Sequence, residues 1–262
     1  IVLADITSNT DDALHAIKDL NNPKISVQLS DKSLDILQNW GRIKDLDKKE
    51  YMTILGYDDI LCKGFLNCIN NLINTDPEAS LYHTHFNYIN SNSEAIKECQ
   101  PLPTQMTASD YLEYSLKESI DIMATGYVFR SKDYDAIGGI PTSYPNLIYA
   151  DAQLWIELSK KSHLVVDPSI QFSFRIHSSV TKTSKDKILL DAFILFLDYL
   201  KGLKQESANF ELIIQSNLTA FAESTTKAMA HRLLRTPKMN RQELTIDKVT
   251  NEIAGKCKQM EV

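Results

Sequence analysis

Tyr51-Met52-Thr53-Ile54-Leu55-Gly56-Tyr57-Asp58-Asp59-Ile60-Leu61 decides how this chain is read. It is a short apolar run that stops at two adjacent carboxylates. Such a run ahead of a turn signal predicts a strand buried on both faces. Side chains alternate along a strand, so Asp58 and Asp59 are expected to point to opposite sides. One then reaches into a cleft at the strand's carboxyl end, where open α/β sheets bind ligands. The other anchors the loop or meets a second part of the ligand. An unpaired carboxylate there is costly, and a divalent cation with a phosphate is its natural complement. The same pair also suits a plain surface turn, since Asp-rich turns are common.

The 262 residues suffice for one large α/β domain or a smaller domain with an appendage. A net charge of −6 argues against nucleic acid as a partner, because phosphate backbones need a basic surface. Cys62, Cys68, Cys99 and Cys257 show no CxxC spacing and read as reduced thiols in a cytoplasmic protein. No apolar run approaches a membrane span, and no signal peptide is recognisable.

Outward from the opening stretch, the first 60 residues read β-α-β-α-β, which predicts a parallel sheet with right-handed crossovers. Val2 to Ala4 is a strand ending at Asp5, a helix covers 13–20, and Ile25 to Leu29 alternates as a strand. A helix over 34–46 carries Asn39-Trp40-Gly41-Arg42. Beyond Asp59 come a helix over 63–73, a strand over 79–89 and a polar hairpin or insertion over 90–103. Thr107-Ala108-Ser109-Asp110 is a capping box opening a helix to Lys117. Next are a strand over 120–130 containing Gly126, a short helix stopped by Gly138-Gly139, and a helix over 150–161 with Asp151 in its first turn. Two strands over 164–167 and 170–176 close the series ahead of His177, and from Ser184 onward only helices are expected.

In this order the motifs resemble the inverting glycosyltransferases of family 2. They are Val2-Leu3-Ala4-Asp5, the Asn39 helix leading to Asp58-Asp59, Gly126-Tyr127 through Gly138-Gly139, Tyr149-Ala150-Asp151, and Arg175-Ile176-His177. The resemblance covers residues 1 to about 182. It implies an α/β class with a GT-A-like, mostly parallel sheet flanked by helices, formed by residues 1–183, and a helical appendage over 184–262. The family's usual first strand–helix unit has no counterpart here, so the resemblance places it ahead of Ile1 and leaves the domain N-terminally incomplete. Tyr57 stands where many members carry a third acidic residue.

The resemblance further implies a nucleotide-sugar donor, UDP-sugar favoured, a saccharide or glycolipid acceptor, and Mn²⁺ or Mg²⁺ as cofactor. Asp59 is then the metal ligand, with His177 completing that site, and Asp58 meets the ribose. Asp5 hydrogen-bonds the nucleobase, with Asn39 and Arg42 as nucleotide neighbours. Gly126 lets the backbone approach donor or acceptor. Asp151 is the general base, although a carboxylate in a first helical turn is also a routine dipole partner. Asp5 equally suits an Asx turn, and His177 a satisfied loop histidine. The helices after Ser184 serve packing, or a partner or membrane surface at the inner face of the membrane. The oligomeric state stays open. Two other functions are compatible with these residues: a non-catalytic GT-A-like scaffold module, and another Mg²⁺-dependent phosphoryl enzyme. The latter needs a Gly-rich or basic phosphate cradle early in the chain, which is not seen.

Overall fold

The computed structural model describes residues 1–6, 15–17, 19–176, 185–235 and 244–261. The chain divides into two units, Ile1–Leu46 and Asp47–Val262.

In the first unit, β1 (Val2–Asp5) pairs in parallel with β2 (Val27–Ser30), Val2 opposite Val27 and Asp5 opposite Ser30. The first two strands are parallel as expected, but the third expected strand, beginning at Tyr51, belongs to a different sheet and pairs antiparallel there. The helix over 13–20 lies largely outside the described residues, though His15 to Ile17 are helical. Helix α1 (Ile36–Gly41) opens with a capping box in which Asp35 and Gln38 each accept the other's backbone N–H, and a 3₁₀ turn (Arg42–Asp45) follows. The expected helix over 34–46 is therefore split, with Gly41 at the junction.

The second unit contains a seven-stranded sheet. Its main path runs β3 (Tyr51–Thr53), β8 (Val128–Arg130), β5 (Leu81–Ile89), β9 (Leu164–Arg175), β4 (Ile60–Leu61). Strand β6 (Ala95–Glu98) pairs with β5, and β7 (Gln105–Met106) with β9. The expectation of a mostly parallel sheet is corrected here. The long central pair β5·β9 is parallel, but β3·β8, β5·β8, β4·β9, β5·β6 and β7·β9 are antiparallel. Period-two alternation is the same in both directions, so pairing sense leaves no mark in the pattern.

The remaining elements are α2 (Phe65–Thr75), α3 (Ala108–Leu116), α4 (Ser131–Ala136) and α5 (Ala150–Ser159), with the C-terminal helices α6 (Asp186–Lys204), α7 (Ala208–Arg235) and α8 (Ile246–Glu261). Thr107 and Asp110 cap α3 reciprocally, as expected. The segment over 90–103 is a hairpin through β6. The two strands expected over 164–176 are one strand whose pairing with β5 shifts around Pro168, which has no N–H to give the ladder.

The core is an aromatic layer between sheet and α5. His83, Phe86, Tyr127, Trp155 and Phe172 are all fully buried. Trp155 stacks on Tyr127 with centroids 4.3 Å apart, and Tyr127 stacks on His83 at 3.8 Å. The C-terminal helices pack onto this unit: the Tyr149 ring stacks on Phe196 of α6 at 4.9 Å, and Ser224 of α7 donates to Glu118 after α3. No helix among the described residues is long and apolar enough to cross a membrane. The four cysteines are free thiols.

Candidate active site

The apolar run from Tyr51 to Leu61 is not one strand. It leaves the sheet after Thr53 in β3 and rejoins it at Ile60 in β4, at opposite ends of the strand order. Between them Gly56 to Asp59 form a turn closed by the Asp59 N–H donating to the Gly56 carbonyl at 3.2 Å. This corrects the expectation that Asp58 and Asp59 point to opposite sides. A Cβ built on Gly56 would lie 2.8 Å from Asp59 Oδ2 and 3.0 Å from Asp58 Oδ1, so both carboxylates converge on the space above that glycine. A turn brings consecutive side chains round to one side where a strand would alternate them.

Two distant segments hold the turn. Thr125 Oγ1 donates to Asp59 Oδ2 at 2.6 Å and accepts the Gly56 N–H at 3.2 Å. The backbone N–H of Arg175 donates to Asp59 Oδ1 at 2.9 Å. The Arg175 guanidinium donates through Nε to the Asp58 carbonyl at 2.8 Å, and through its other nitrogens to the Asn90 carbonyl and Ser93 Oγ. Arg175 therefore ties the turn to the β5–β6 hairpin. The Arg175-Ile176-His177 motif gives Arg175 no role of its own, and Thr125 carries no local sequence signal.

Two part-buried carboxylates converging on a space that only a missing Cβ leaves open fit a hard divalent ion. Mg²⁺ or Mn²⁺ takes one or two carboxylates, the rest of its shell being phosphate and water. Asp59 and Asp58 are the residues that would hold it. No group of three or more His, Cys, Asp or Glu side chains gathers for a metal among the described residues. His177 lies outside the described residues.

Asp151 occupies the first turn of α5. The chain enters this helix through strained backbone: Asn146, Leu147 and Tyr149 have φ of 54°, 58° and 70°. Asp151 Oδ1 accepts the Ala152 N–H at 2.9 Å. Loss of water by burial pushes the carboxyl from its ordinary 3.8 up to about 6, against the pull of amides at the helix start. A carboxyl poised there can take a proton near neutral pH.

Gly126 has φ of +89°, and a Cβ on it would meet ring atoms of Phe172 at 2.5 Å. Its close approach is thus to the core. Its carbonyl meets His83 Nδ1 at 3.0 Å, and burial holds that imidazole neutral, with its pKa lowered to about 3.

In the first unit, Asp5 is buried and its Oδ2 accepts the Leu34 N–H at 2.8 Å. Arg42 donates to the Ala4 carbonyl at 3.2 Å, the Gln28 carbonyl at 3.3 Å and Asn39 Oδ1. These three residues bind β1, β2 and the segment around α1 together.

The whole chain is similar in fold to a protein of S. aureus. A crystal structure of S. aureus TarS 1–349 gives a TM-score of 0.52 at 11% identity, covering 98% of this chain and 82% of that one. The chain has a GT-A-like fold. TarS 1–349 in complex with UDP gives 0.52 at 12%, covering 99% and 80%. No protein-family profile and no curated protein matches the sequence.

Proposed function

We propose that this chain is a glycosyltransferase of the inverting, family 2 type. It moves a sugar from a nucleotide donor, a UDP-sugar by preference, to a saccharide or lipid-linked acceptor. The observation that carries this reading is the convergence of Asp58 Oδ1 and Asp59 Oδ2 above Gly56 in a GT-A-like fold. UDP bound to TarS supports the choice of nucleotide. The reading places the reaction in polysaccharide or glycolipid assembly, at or near the cytoplasmic face of a membrane.

In this reading Asp151 takes the proton of the acceptor hydroxyl. The bond from that oxygen to the anomeric carbon forms as the bond from the carbon to the diphosphate oxygen breaks. One displacement with one base inverts the anomeric centre, and UDP leaves. Asp58 and Asp59 would hold Mn²⁺ or Mg²⁺, which would supply positive charge against the departing diphosphate. Thr125 and the Arg175 amide fix the orientation of the Asp59 carboxylate, and the Arg175 guanidinium holds the Asp58 backbone carbonyl. Asp5, Asn39 and Arg42 are the residues this reading assigns to nucleotide contact.

A second reading, a non-catalytic scaffold module, draws on the internal use of Asn39 and Arg42, which hydrogen-bond each other and the strand carbonyls. Titration calorimetry with UDP and Mn²⁺ separates the two. The transferase is expected to bind UDP more tightly with Mn²⁺ than without, and Asp59→Asn to lose that gain by tenfold or more. Equal UDP binding with and without the ion, or an unaffected Asp59→Asn, would overturn the ion-assisted donor site.

A further inference from the structure

Asp59 and Asp151 stand in separate elements, yet one short segment touches the supports of both. It runs from Met123 to Tyr127, between α3 and β8. On one side Thr125, 3% exposed, reaches the carboxylate turn. Its hydroxyl has one proton to give and lone pairs to receive. It gives the proton to Asp59 Oδ2 at 2.6 Å and receives the Gly56 N–H at 3.2 Å, spanning the first and last residues of the turn. On the other side the Met123 carbonyl accepts the Trp155 indole N–H at 2.9 Å, and the Tyr127 ring stacks on Trp155. Trp155 lies four residues after Asp151 on α5, hence on the same helix face one turn on. Between these contacts the path of the segment is pinned by Gly126, whose left-handed backbone sits against the Phe172 ring.

We infer that Thr125 is a positioning residue for the metal side of the proposed site. It aims Asp59 at the space above Gly56, from a segment anchored at its other contacts to the helix that presents Asp151. The inference rests on the glycosyltransferase reading, because it assigns Thr125 to the ion that Asp59 would hold. Removing the hydroxyl takes one partner from the Gly56 amide and one from Asp59 Oδ2, so the Arg175 amide on Oδ1 no longer shares the aiming of that carboxylate with Thr125. Loss of a partner that orients a metal-ligating carboxylate typically lowers metal affinity by about 10–100-fold.

The test is Mn²⁺ affinity at saturating UDP, read from the paramagnetic resonance signal of free Mn²⁺, for the wild type and T125V, T125A and T125S. T125V keeps the volume and loses the hydroxyl; T125A serves the same purpose should T125V fail to fold. T125S keeps the hydroxyl. The expected result is a loss of about 10–100-fold in T125V and T125A, with T125S within about threefold of the wild type. Melting temperatures of the variants accompany the measurement, since a purely structural threonine would change those and leave Mn²⁺ affinity alone. Wild-type affinity in T125V or T125A, or an equal loss in all three variants, overturns the role of the hydroxyl and leaves the transferase reading standing. A wild type that binds no Mn²⁺ in the presence of UDP removes the metal-dependent reading, and this inference with it.

Discussion

The carboxylate turn at Gly56–Asp59 and the entry to α5 at Asn146–Asp151 hold their acidic groups in opposite ways. The turn has relaxed backbone and abundant hydrogen bonding from far away: Thr125 and the Arg175 amide both donate to Asp59. The helix entry has three residues at positive φ within four positions, and among the described residues its carboxylate receives amides from the start of its own helix alone. What fixes that second region is packing, with Tyr149 on Phe196 and Trp155 on Tyr127. Distant donors fix where a carboxylate points. Burial with few donors raises its hold on a proton. A reaction that needs an oriented ligand and a proton acceptor would use one of each.

Asp151→Asn breaks the comparison most severely. The amide keeps an oxygen for the Ala152 N–H and loses the ability to take a proton. Transfer is expected to fall by about 10²–10⁴-fold while UDP binding stays within a few-fold of the wild type. In the wild type, the rate is expected to rise about tenfold per pH unit below about 6 and to level off above it, as the carboxyl ionises. Stability runs the other way. The folded carboxyl binds its proton more tightly than the unfolded one, so its contribution is fully present below 3.8 and is lost as pH rises through about 6. Asp151→Asn is therefore expected to be at least as stable as the wild type at pH 8, by urea unfolding. A variant both inactive and strongly destabilised there would make Asp151 a structural residue.

Which of these features could be read in advance follows from their range along the chain. The place of Asp151 in the first turn of α5 was legible because a helix start is a local signal, and the apolar run α5 buries follows at once. The capping box at Thr107 and the helical character of the chain beyond Ser184 were legible for the same reason. Asp58 and Asp59 were picked out, but their directions were not, because the turn that converges them depends on Thr125, 66 residues away, and Arg175, 116 residues beyond Asp59. The expected strand over 120–130 shrank to Val128–Arg130 since its first half is spent on those tertiary bonds. Apolar composition announced burial there, and burial does not distinguish a strand from a buttressed loop.

Gly126 sits in that loop between the two regions, and Gly126→Ala sharpens how they are joined. The added Cβ meets the Phe172 ring at 2.5 Å in a backbone conformation that L residues rarely adopt. Overpacking and strain together are expected to cost about 2–4 kcal/mol in urea unfolding. Gly138→Ala is the control. Its φ is +85° but nothing lies within 4 Å, so only the backbone strain of about 1–2 kcal/mol is expected. Equal losses in the two variants would show that Gly126 is retained for its φ alone, with the contact to Phe172 yielding easily.

The smallest effect tests how far the support of the carboxylate turn extends. Ser93, in the β5–β6 hairpin, has φ of 65° and accepts one of the four hydrogen bonds that Arg175 donates, at 3.0 Å. Ser93→Gly relieves a left-handed conformation worth about 1 kcal/mol and forfeits an exposed hydrogen bond worth about 1 kcal/mol. The two nearly cancel, so stability is expected to stay within about 0.5 kcal/mol of the wild type. The remaining bonds from Arg175 still reach Asp58, Asp59 and Asn90 directly, so Mn²⁺ affinity with UDP present is expected to hold within about twofold. A tenfold loss of Mn²⁺ affinity in Ser93→Gly, with stability unchanged, would extend the turn's support out to the hairpin. The aim of Asp59 would then depend on where β5 and β6 hold the guanidinium as well as on Thr125 and the Arg175 amide.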